Sequence, residues 1–239
     1  PQKVGIGIKE LWQVPDAVFE SGLTQHTFGW PLDNATGGGS FMYHFGDNYV
    51  AIGFVLHLNY KNPWLSPFDE FQRFKTHPAI RGYLEGGKRV SYGARAITEG
   101  GAQSLPQLYF PGGVLLGCSA GMVNVPRING SPNAVKSGML AAAAAFTAIQ
   151  GGRSSDELVS YEEAYQKSSI AKELWNVRNF KPLWSKFGTI PGVLLGGGDA
   201  IMATVLKGWS PWGTLKHGKS DAEATGLAKD YKPIVYPKP

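Results

Sequence analysis

The chain has 239 residues, with 23 Lys and Arg against 18 Asp and Glu, so its formal net charge is +5. Its 32 glycines and 16 prolines exclude a long coiled coil, because both residues break helices. A single cysteine, Cys118, excludes a disulfide or an all-cysteine metal site within the chain, and no dense cluster of Lys and Arg indicates nucleic-acid binding.

The first hundred residues alternate between apolar and polar side chains, as β-strands do. Strands are predicted at 3–14, 25–30, 40–46, 49–58 and 88–97. Gly46–Asn48 has the composition of a hairpin turn, and the absence of helices between the first four strands favours an antiparallel sheet. Ser66 and Pro67 are typical of a helix N-terminus, so we expect a helix from there to about Lys75 and a second one starting at Thr76–Pro78.

The second half of the chain has helical patterns. A short strand at Val114–Leu116 and a glycine loop at Gly117–Gly121 are predicted to lead, through a second loop, to a helix from Asn133 to Ile149. Residues 154–179 are predicted to be helical, with Ser154 or Ser155 as the cap.

Two glycine-containing segments are candidate ligand sites. The N-terminus of the helix near Asn133 could bind anionic oxygens through Asn124, Gly130, Ser131 and Asn133, although an ordinary strand-to-helix connection explains the same pattern. Gly37–Gly39 would let a planar ligand lie against bare main chain, and the alternative is a flexible hairpin loop.

Residues 187–206 contain no Lys or Arg, but Pro191 and three glycines interrupt them, and Asp199 is predicted to cap a helix of only about eight residues. The pattern fits either a segment that dips into one leaflet of a membrane or a glycine-rich core helix. Basic residues and tryptophans flank the segment: Lys181, Lys186, Lys207, Lys216, Lys219, Trp184, Trp209 and Trp212.

The histidines show no metal-ligand spacing. His44 and His57 fall on neighbouring predicted strands and could face each other, but packed, hydrogen-bonded histidines are the favoured interpretation. Arg95 and Glu99 flank a glycine turn, where they could form an ion pair or contact a cofactor.

Long segments of the chain closely resemble the electron-transfer flavoprotein–ubiquinone oxidoreductase family. The segments that carry the resemblance are GIGIKELW (5–12), HTFGWPLD (26–33), GGSFMYH (38–44), NYKNPWLSPFDEFQRFKTHP (59–78), LEGGKRVSYGARAITEGGAQSLPQLYFPGG (84–113), GCSAGMVNVPRINGS (117–131), VKSGML (135–140), GTLKH (213–217) and YPKP (236–239). They are long and distinctive, and together they extend over essentially the whole chain.

The resemblance implies an enzyme, an electron-transferring-flavoprotein dehydrogenase. It would pass electrons from reduced electron-transfer flavoprotein through FAD and a 4Fe-4S cluster to ubiquinone. The chain resembles the central part of such a protein, so we expect the glycine fingerprint for FAD upstream and the four cluster cysteines after YPKP. Membrane lipid is a further expected partner, with the protein peripheral on the inner face of a bacterial or mitochondrial inner membrane.

The resemblance also implies site residues. The ubiquinone contact of the family falls on Gly38 and Gly39, and the family's usual tyrosine before that pair is Gly37 here, which alters one wall of the pocket. Five residues are expected near the flavin: Gly117, Gly121, Asn124, Gly130 and Ser131. A Thr-His-Thr stretch of the family reads Ser131–Pro132–Asn133 in this chain.

Together these observations predict an α+β fold, with an antiparallel-sheet quinone-binding domain joined to part of an FAD-binding domain. The expected parts are a quinone-binding domain at 1–110, part of an FAD domain at 111–180, and a membrane-associating segment with a linker at 181–239. The alternatives are a flavoenzyme similar to geranylgeranyl reductases and a non-catalytic module that binds quinone or membrane.

Overall fold

The computed structural model describes residues 1–236, which form two compact units. The sheet unit contains residues 5–96 and 221–236, and the helical unit contains residues 1–4 and 97–220. The boundaries expected at residues 110 and 180 concern binding roles and stay a prediction.

The sheet unit is built on five strands in the order β2-β3-β4-β1-β5. Neighbouring pairs β1–β4, β3–β4 and β2–β3 are antiparallel, as predicted from the sequence. The strands are β1 (Val4–Gln13), β2 (Thr24–Phe28), β3 (Gly38–Phe45), β4 (Tyr49–His57) and β5 (Lys88–Thr98).

The predicted hairpin turn connects β3 and β4. Phe45 pairs with Tyr49, and Gly46 and Asn48 have φ values of 56° and 60°, which the turn requires. The same register pairs His44 with Val50, so the two histidines do not face each other. Both are buried, and His44 Nδ1 accepts a hydrogen bond from the Glu20 amide at 3.1 Å, which agrees with the favoured interpretation of packed histidines. The two histidines lie near opposite ends of the hairpin.

Helices α1 (Pro67–Lys75) and α2 (Pro78–Arg81) belong to the sheet unit and begin where the sequence predicts. Ser66 Oγ accepts a hydrogen bond from the Asp69 amide at 3.3 Å, which satisfies one of the free amides of the first turn of α1. Phe71 and Phe74 point from α1 into the core and pack on Phe54 of β4, with ring centroids 6.3 and 5.5 Å apart.

The described residues of the helical unit contain six α-helices and a small two-stranded sheet. The short strands are β6 (Tyr109–Phe110) and β7 (Gly113–Val114). The helices are α3 (Gly117–Ala120), α4 (Ser131–Gln150), α5 (Val159–Gln166), α6 (Ser169–Asn176), α7 (Phe180–Phe187) and α8 (Thr189–Val205), while α9 (Asp221–Ala224) lies in the sheet unit.

Two predictions for residues 117–179 are wrong. Residues 117–121 form one helical turn rather than a loop, and Gly121 ends it with φ at 96°. The predicted helix over 154–179 is two helices, α5 and α6, and Ser155 precedes them with φ at 53° instead of capping them. Ser168 caps the second of these helices, α6, because its Oγ accepts hydrogen bonds from the amides of Ile170 and Ala171.

Helices α7 and α8 pack against each other through glycine. A Cβ atom built at Gly192 would lie 2.6 Å from Trp184 Cα, and one at Gly196 would lie 2.9 Å from Phe180 Cδ2, so only glycine permits this approach. The prediction that Asp199 caps a short helix is wrong: Asp199 lies inside the 17-residue α8, which begins at Thr189. Tertiary packing overrides the low helix propensity of its glycines. The predicted α+β class is confirmed.

Candidate functional site

The Gly37–Gly39 segment forms the entrance to β3, as predicted. Its glycines are required by the protein's own main chain, because a Cβ at Gly38 would lie 2.4 Å from the Val55 carbonyl oxygen and one at Gly39 would lie 2.7 Å from the Thr27 carbonyl oxygen. These glycines therefore allow β3 to pack closely against both β2 and β4, and this requirement is independent of any ligand.

The register leaves one main-chain position of this segment, the buried Gly38, without a strand partner on one side. The His57 amide donates to the Gly37 carbonyl oxygen at 2.9 Å, so Gly37 faces β4. Successive residues of a strand direct their N–H and C=O groups to opposite sides, so Gly38 faces the β2 side. Strand β2 ends there, since Phe28 opposite Gly39 is its last paired residue. Within residues 1–236, no loop or side-chain group hydrogen-bonds to Gly38.

Leu32 packs against this unpaired position, and two exposed aromatic residues lie at and just beyond the end of the neighbouring strand β2. Phe28, at the end of β2, is 64% exposed, and Trp30, two residues further on, is 43% exposed. Leu32 is buried beside Gly38, with its Cδ1 atom 2.6 Å from the position that a Cβ of Gly38 would take. A free amide and carbonyl between apolar walls suit a planar molecule with carbonyl or hydroxyl oxygens.

The five residues expected near a flavin lie in the helical unit, along residues 117–131. Gly117 opens α3 with φ at 50°, its amide donates to Ser137 Oγ at 3.1 Å, and its Cα approaches Ala134 of α4 too closely for a side chain. Gly121 donates its amide to the Cys118 carbonyl oxygen at 3.0 Å. These two glycines therefore position α3 against α4, and both amides are already bonded.

Asn124 is fully buried and holds the loop that leads into α4. Its side-chain amide donates to Glu173 Oε1 at 2.5 Å, and its side-chain oxygen accepts from the Arg127 amide at 3.3 Å. Its main chain forms a reciprocal pair with Asn129 at 2.9 and 3.1 Å. The side chain of Asn133, another sequence candidate, donates to the Met122 carbonyl oxygen at 3.1 Å.

The N-terminus of α4 is the part of this segment that remains open. Gly130 is its N-cap residue and provides no side-chain cap, while Pro132 has no amide to donate. The first amides of a helix have no acceptor within the helix, so those of Ser131 and Asn133 point outward from the start of a 20-residue helix. Such an end favours electron-rich oxygens through its amides and its dipole.

One face of α8 is apolar and exposed. Ile190, Leu194, Ile201 and Val205 are 64%, 71%, 68% and 71% exposed and recur at helical spacing. Trp209 and Trp212, in the segment that follows, are 54% and 43% exposed. Within residues 1–236, no helix combines the length and apolar character needed to cross a bilayer.

A polar cluster that sequence reasoning missed supports the segment with these tryptophans. The buried Arg178 guanidinium donates to the Gly208 and Gly213 carbonyl oxygens, both at 3.0 Å. Asn179 donates to Ser210 Oγ at 3.0 Å and accepts from the Leu215 amide at 2.8 Å. Asn179 directly precedes α7 as its N-cap residue, and the adjacent Arg178–Asn179 pair was the available signal in the sequence.

Glu99 and Lys181 form a buried ion pair in the helical unit. Lys181 Nζ lies 2.6 Å from Glu99 Oε2, with 4% and 6% of the two side chains exposed. The sequence suggested Arg95 as the partner of Glu99; Arg95 is exposed on β5. The residue after Glu99, Gly100, accepts a hydrogen bond at its carbonyl oxygen from Nε2 of the buried His217 at 2.7 Å, and burial lowers the pKa of this imidazole.

A cavity in the sheet unit lies away from the expected quinone site. No three His, Cys, Asp or Glu side chains among residues 1–236 converge as a metal site requires. A cavity of about 540 Å³ lies between Phe19 and Tyr83, which both contact the His44 ring. His44 is six residues along β3 from Gly38, a distance of about 20 Å.

Comparisons with known proteins agree with the resemblance. Residues 4–97 match the family model described as ETF-QO, ubiquinone-binding. The whole chain is 52% identical to the mitochondrial electron transfer flavoprotein-ubiquinone oxidoreductase of Oryza sativa subsp. japonica, and 49% identical to those of Bos taurus and Homo sapiens. The chain spans only 39–40% of the length of these curated relatives.

Solved structures share the fold at low identity. A geranylgeranyl bacteriochlorophyll reductase-like protein of Thermoplasma acidophilum matches 86% of this chain and 54% of its own, with a TM-score of 0.55 and 15% identity. A flavin-dependent brominase variant matches 85% of this chain and 55% of its own, with a TM-score of 0.53 and 16% identity. This chain therefore shares its fold with about half of each of these two proteins, one of which is a flavin-dependent enzyme. The sequence similarity to the electron transfer flavoprotein–ubiquinone oxidoreductases is confirmed, over the whole of this chain and about two fifths of theirs.

Proposed function

We propose that this chain supplies the quinone site and part of the flavin site of an oxidoreductase that passes electrons from reduced electron transfer flavoprotein to ubiquinone. The observation that carries the proposal is the match of residues 4–97 to a ubiquinone-binding domain, because that range coincides with the sheet unit and contains the open main chain of Gly38. The identity of about 50% to enzymes named for this reaction supports it.

Gly38 and Gly39 would receive the quinone ring. A quinone needs hydrogen-bond partners at its oxygens and apolar walls beside its ring. Gly38 offers an amide and a carbonyl beyond the end of β2, Leu32 packs beside it, and Phe28, opposite the neighbouring Gly39, offers exposed apolar surface. Gly39 shapes the site by letting β2 approach β3, and the register assigns its own main chain to the ladder with Val55.

The N-terminus of α4 fits the electron-rich part of a flavin. Gly130 leaves it without a side-chain cap, Ser131 adds an exposed hydroxyl, and Gly117, Gly121 and Asn124 hold the surrounding loops in place. When bound, FAD supplies the capacity to exchange electrons one or two at a time. The α4 amides would bind and orient its oxygens and stabilise negative charge on them.

A 4Fe-4S cluster does not fit the residues of this chain. The cluster needs four thiolates, and Cys118 is the only cysteine in the sequence. We propose that the cluster ligands belong to sequence outside this chain.

We further propose that the protein is peripheral on the inner face of a respiratory membrane. The apolar face of α8 and the exposed Trp209 and Trp212 form one segment of the helical unit, and Lys186 and Lys207 flank the helix. Apolar side chains that enter one leaflet beside tryptophans and lysines are typical of interfacial helices. The names of the curated relatives place those proteins in mitochondria.

Photoaffinity labelling tests the quinone site without altering the glycines, whose replacement would disturb the sheet in any case. The natural protein that contains this chain is irradiated with a short-chain ubiquinone carrying a photoactivatable ring, and the labelled peptides are identified by mass spectrometry. We expect labels on residues 28–39 and 55–58 that excess unlabelled quinone prevents. Labels confined to other regions, or labels that quinone does not displace, would refute the proposal.

The sequence comparison favours this function over a geranylgeranyl reductase-like activity. The reductase-like structure shares the fold at 15% identity, whereas enzymes named for ubiquinone reduction share about half of the residues along the whole chain. Loss of quinone labelling together with reduction of an isoprenoid double bond would favour the reductase instead.

A further inference from the structure

The imidazole of His57 occupies the space that a side chain at position 37 would need. A Cβ atom built at Gly37 would lie 2.1 Å from His57 Nδ1, 2.8 Å from Cε1 and 3.0 Å from Cγ. Both positions are buried, and the His57 amide donates to the Gly37 carbonyl oxygen at 2.9 Å. Gly37 and His57 are therefore one packing unit, in which a side chain from β4 covers bare main chain that leads into β3.

This packing unit adjoins the open main chain of Gly38. Consecutive Cα atoms are only about 3.8 Å apart, so the ring over Gly37 lies within a few ångströms of Gly38. Gly38 is opposite Leu56, the residue before His57, in the ladder of β3 and β4. Leu32 and Phe28 line other sides of the same position with apolar groups, whereas His57 brings an aromatic ring with polar edges.

We infer that His57 forms one wall of the quinone site and sets the position of the quinone ring relative to the Gly38 main chain; this inference rests on the proposed function. Gly37 makes the wall possible, because any larger residue there would displace the imidazole. The role is steric, a flat aromatic surface that contacts the quinone head group. His57 is thus a specificity-determining residue contributed by β4, while the hydrogen-bonding groups come from β3.

The structure predicts how exchanges at the two positions combine. A tyrosine ring at position 37 would need the volume that the His57 imidazole fills, so Gly37→Tyr alone must disturb the sheet. Adding His57→Gly vacates that volume and lets an aromatic ring from β3 rebuild the wall. The double variant is therefore expected to be more native-like than Gly37→Tyr alone.

The test is made in the natural protein that contains this chain, with the KM for a short-chain ubiquinone, kcat and Tm measured for each variant. We expect His57→Ala to raise the quinone KM about tenfold with a smaller change in kcat, since a ring contact is lost. His57→Phe keeps the ring and should stay within about threefold of the parent. His26→Phe, on the exposed surface of the same sheet, is the matched control and should leave the KM unchanged.

Failure of the inference and of the proposed function give different results. If quinone still labels residues 28–39 but His57→Ala leaves the KM unchanged at a normal Tm, His57 is no wall of the site and the inference is refuted alone. The inference also fails if Gly37→Tyr with His57→Gly has a Tm and KM no better than Gly37→Tyr. If labelling misses residues 28–39 and 55–58, the proposed function falls and the inference falls with it.

Discussion

The glycines of α8 provide a sharp test of how this helix packs. Gly192 faces α7, where an added Cβ would lie 2.6 Å from Trp184 Cα and 2.8 Å from the Leu183 carbonyl oxygen. Gly197 is five residues further along the same helix and has no neighbouring atom within 4 Å of its Cβ position. Both are helical, so an alanine gains the same propensity at either position, about 1 kcal/mol.

The difference between the two variants isolates the packing contribution. At Gly197 the gain stands alone, so Gly197→Ala should raise the free energy of unfolding by about 0.5–1 kcal/mol. At Gly192 the added methyl group meets main-chain atoms that cannot rotate away, and overpacking costs about 1–3 kcal/mol, so Gly192→Ala should be destabilising. Urea unfolding of both proteins, followed by circular dichroism, measures the difference. Equal stability of the two variants, or a more stable Gly192→Ala, would contradict the close packing of α7 and α8.

Three other predictions follow from buried charges and exposed apolar residues. Lys181→Met leaves the buried Glu99 carboxylate without its lysine and should cost about 3 kcal/mol or more in urea unfolding, while adding Glu99→Gln should recover much of that loss. Burial lowers the pKa of His217 and of His44, so below about pH 6.5 the unfolded chain takes up protons that the folded chain does not. The free energy of unfolding should therefore decrease as the pH is lowered, by up to about 1.4 kcal/mol per pH unit for each histidine. In unfolding measured as a function of pH, His217→Gln should reduce this slope. Leu194→Asp should weaken cosedimentation with liposomes of mitochondrial lipid at least about tenfold, whereas Leu194→Met should not, and equal binding of the two would oppose a membrane role for α8.

Local signals in the sequence were sufficient where a feature is settled by its nearest neighbours. The Ser66–Pro67 start of α1 and the Gly46–Asn48 turn are correct, because a cap and a hairpin turn depend on a few adjacent residues. The position of the turn also determines the register of β3 and β4. With Phe45 opposite Tyr49, His57 must lie opposite Gly37 rather than near His44. The predicted turn was therefore sufficient to exclude a facing pair of His44 and His57 from the sequence alone.

Features that depend on distant contacts could not be predicted in this way. Asp199 follows three glycines and resembles a cap, yet α8 passes through those glycines because Gly192 and Gly196 pack on α7. Nothing in the sequence near Glu99 identifies Lys181, 82 residues away, as its partner. The flavin and quinone assignments came from the resemblance, and the structure adds which of those residues have groups left to bind anything.

A glycine that is required by a bound ligand and a glycine that is required by a neighbouring strand look the same in a sequence. At the start of β3 the same glycines are required by the neighbouring strands and are proposed to contact the quinone. Gly38 and Gly39 are irreplaceable for the strands themselves, so loss of activity on substitution would say little about quinone. Gly37 differs, because its constraint comes from a side chain, His57, and that side chain can be changed. It follows that a relative with a large residue at position 37 must have a small one at position 57. A relative with large residues at both positions and an unaltered β3–β4 register would contradict the shared volume on which the role of His57 depends.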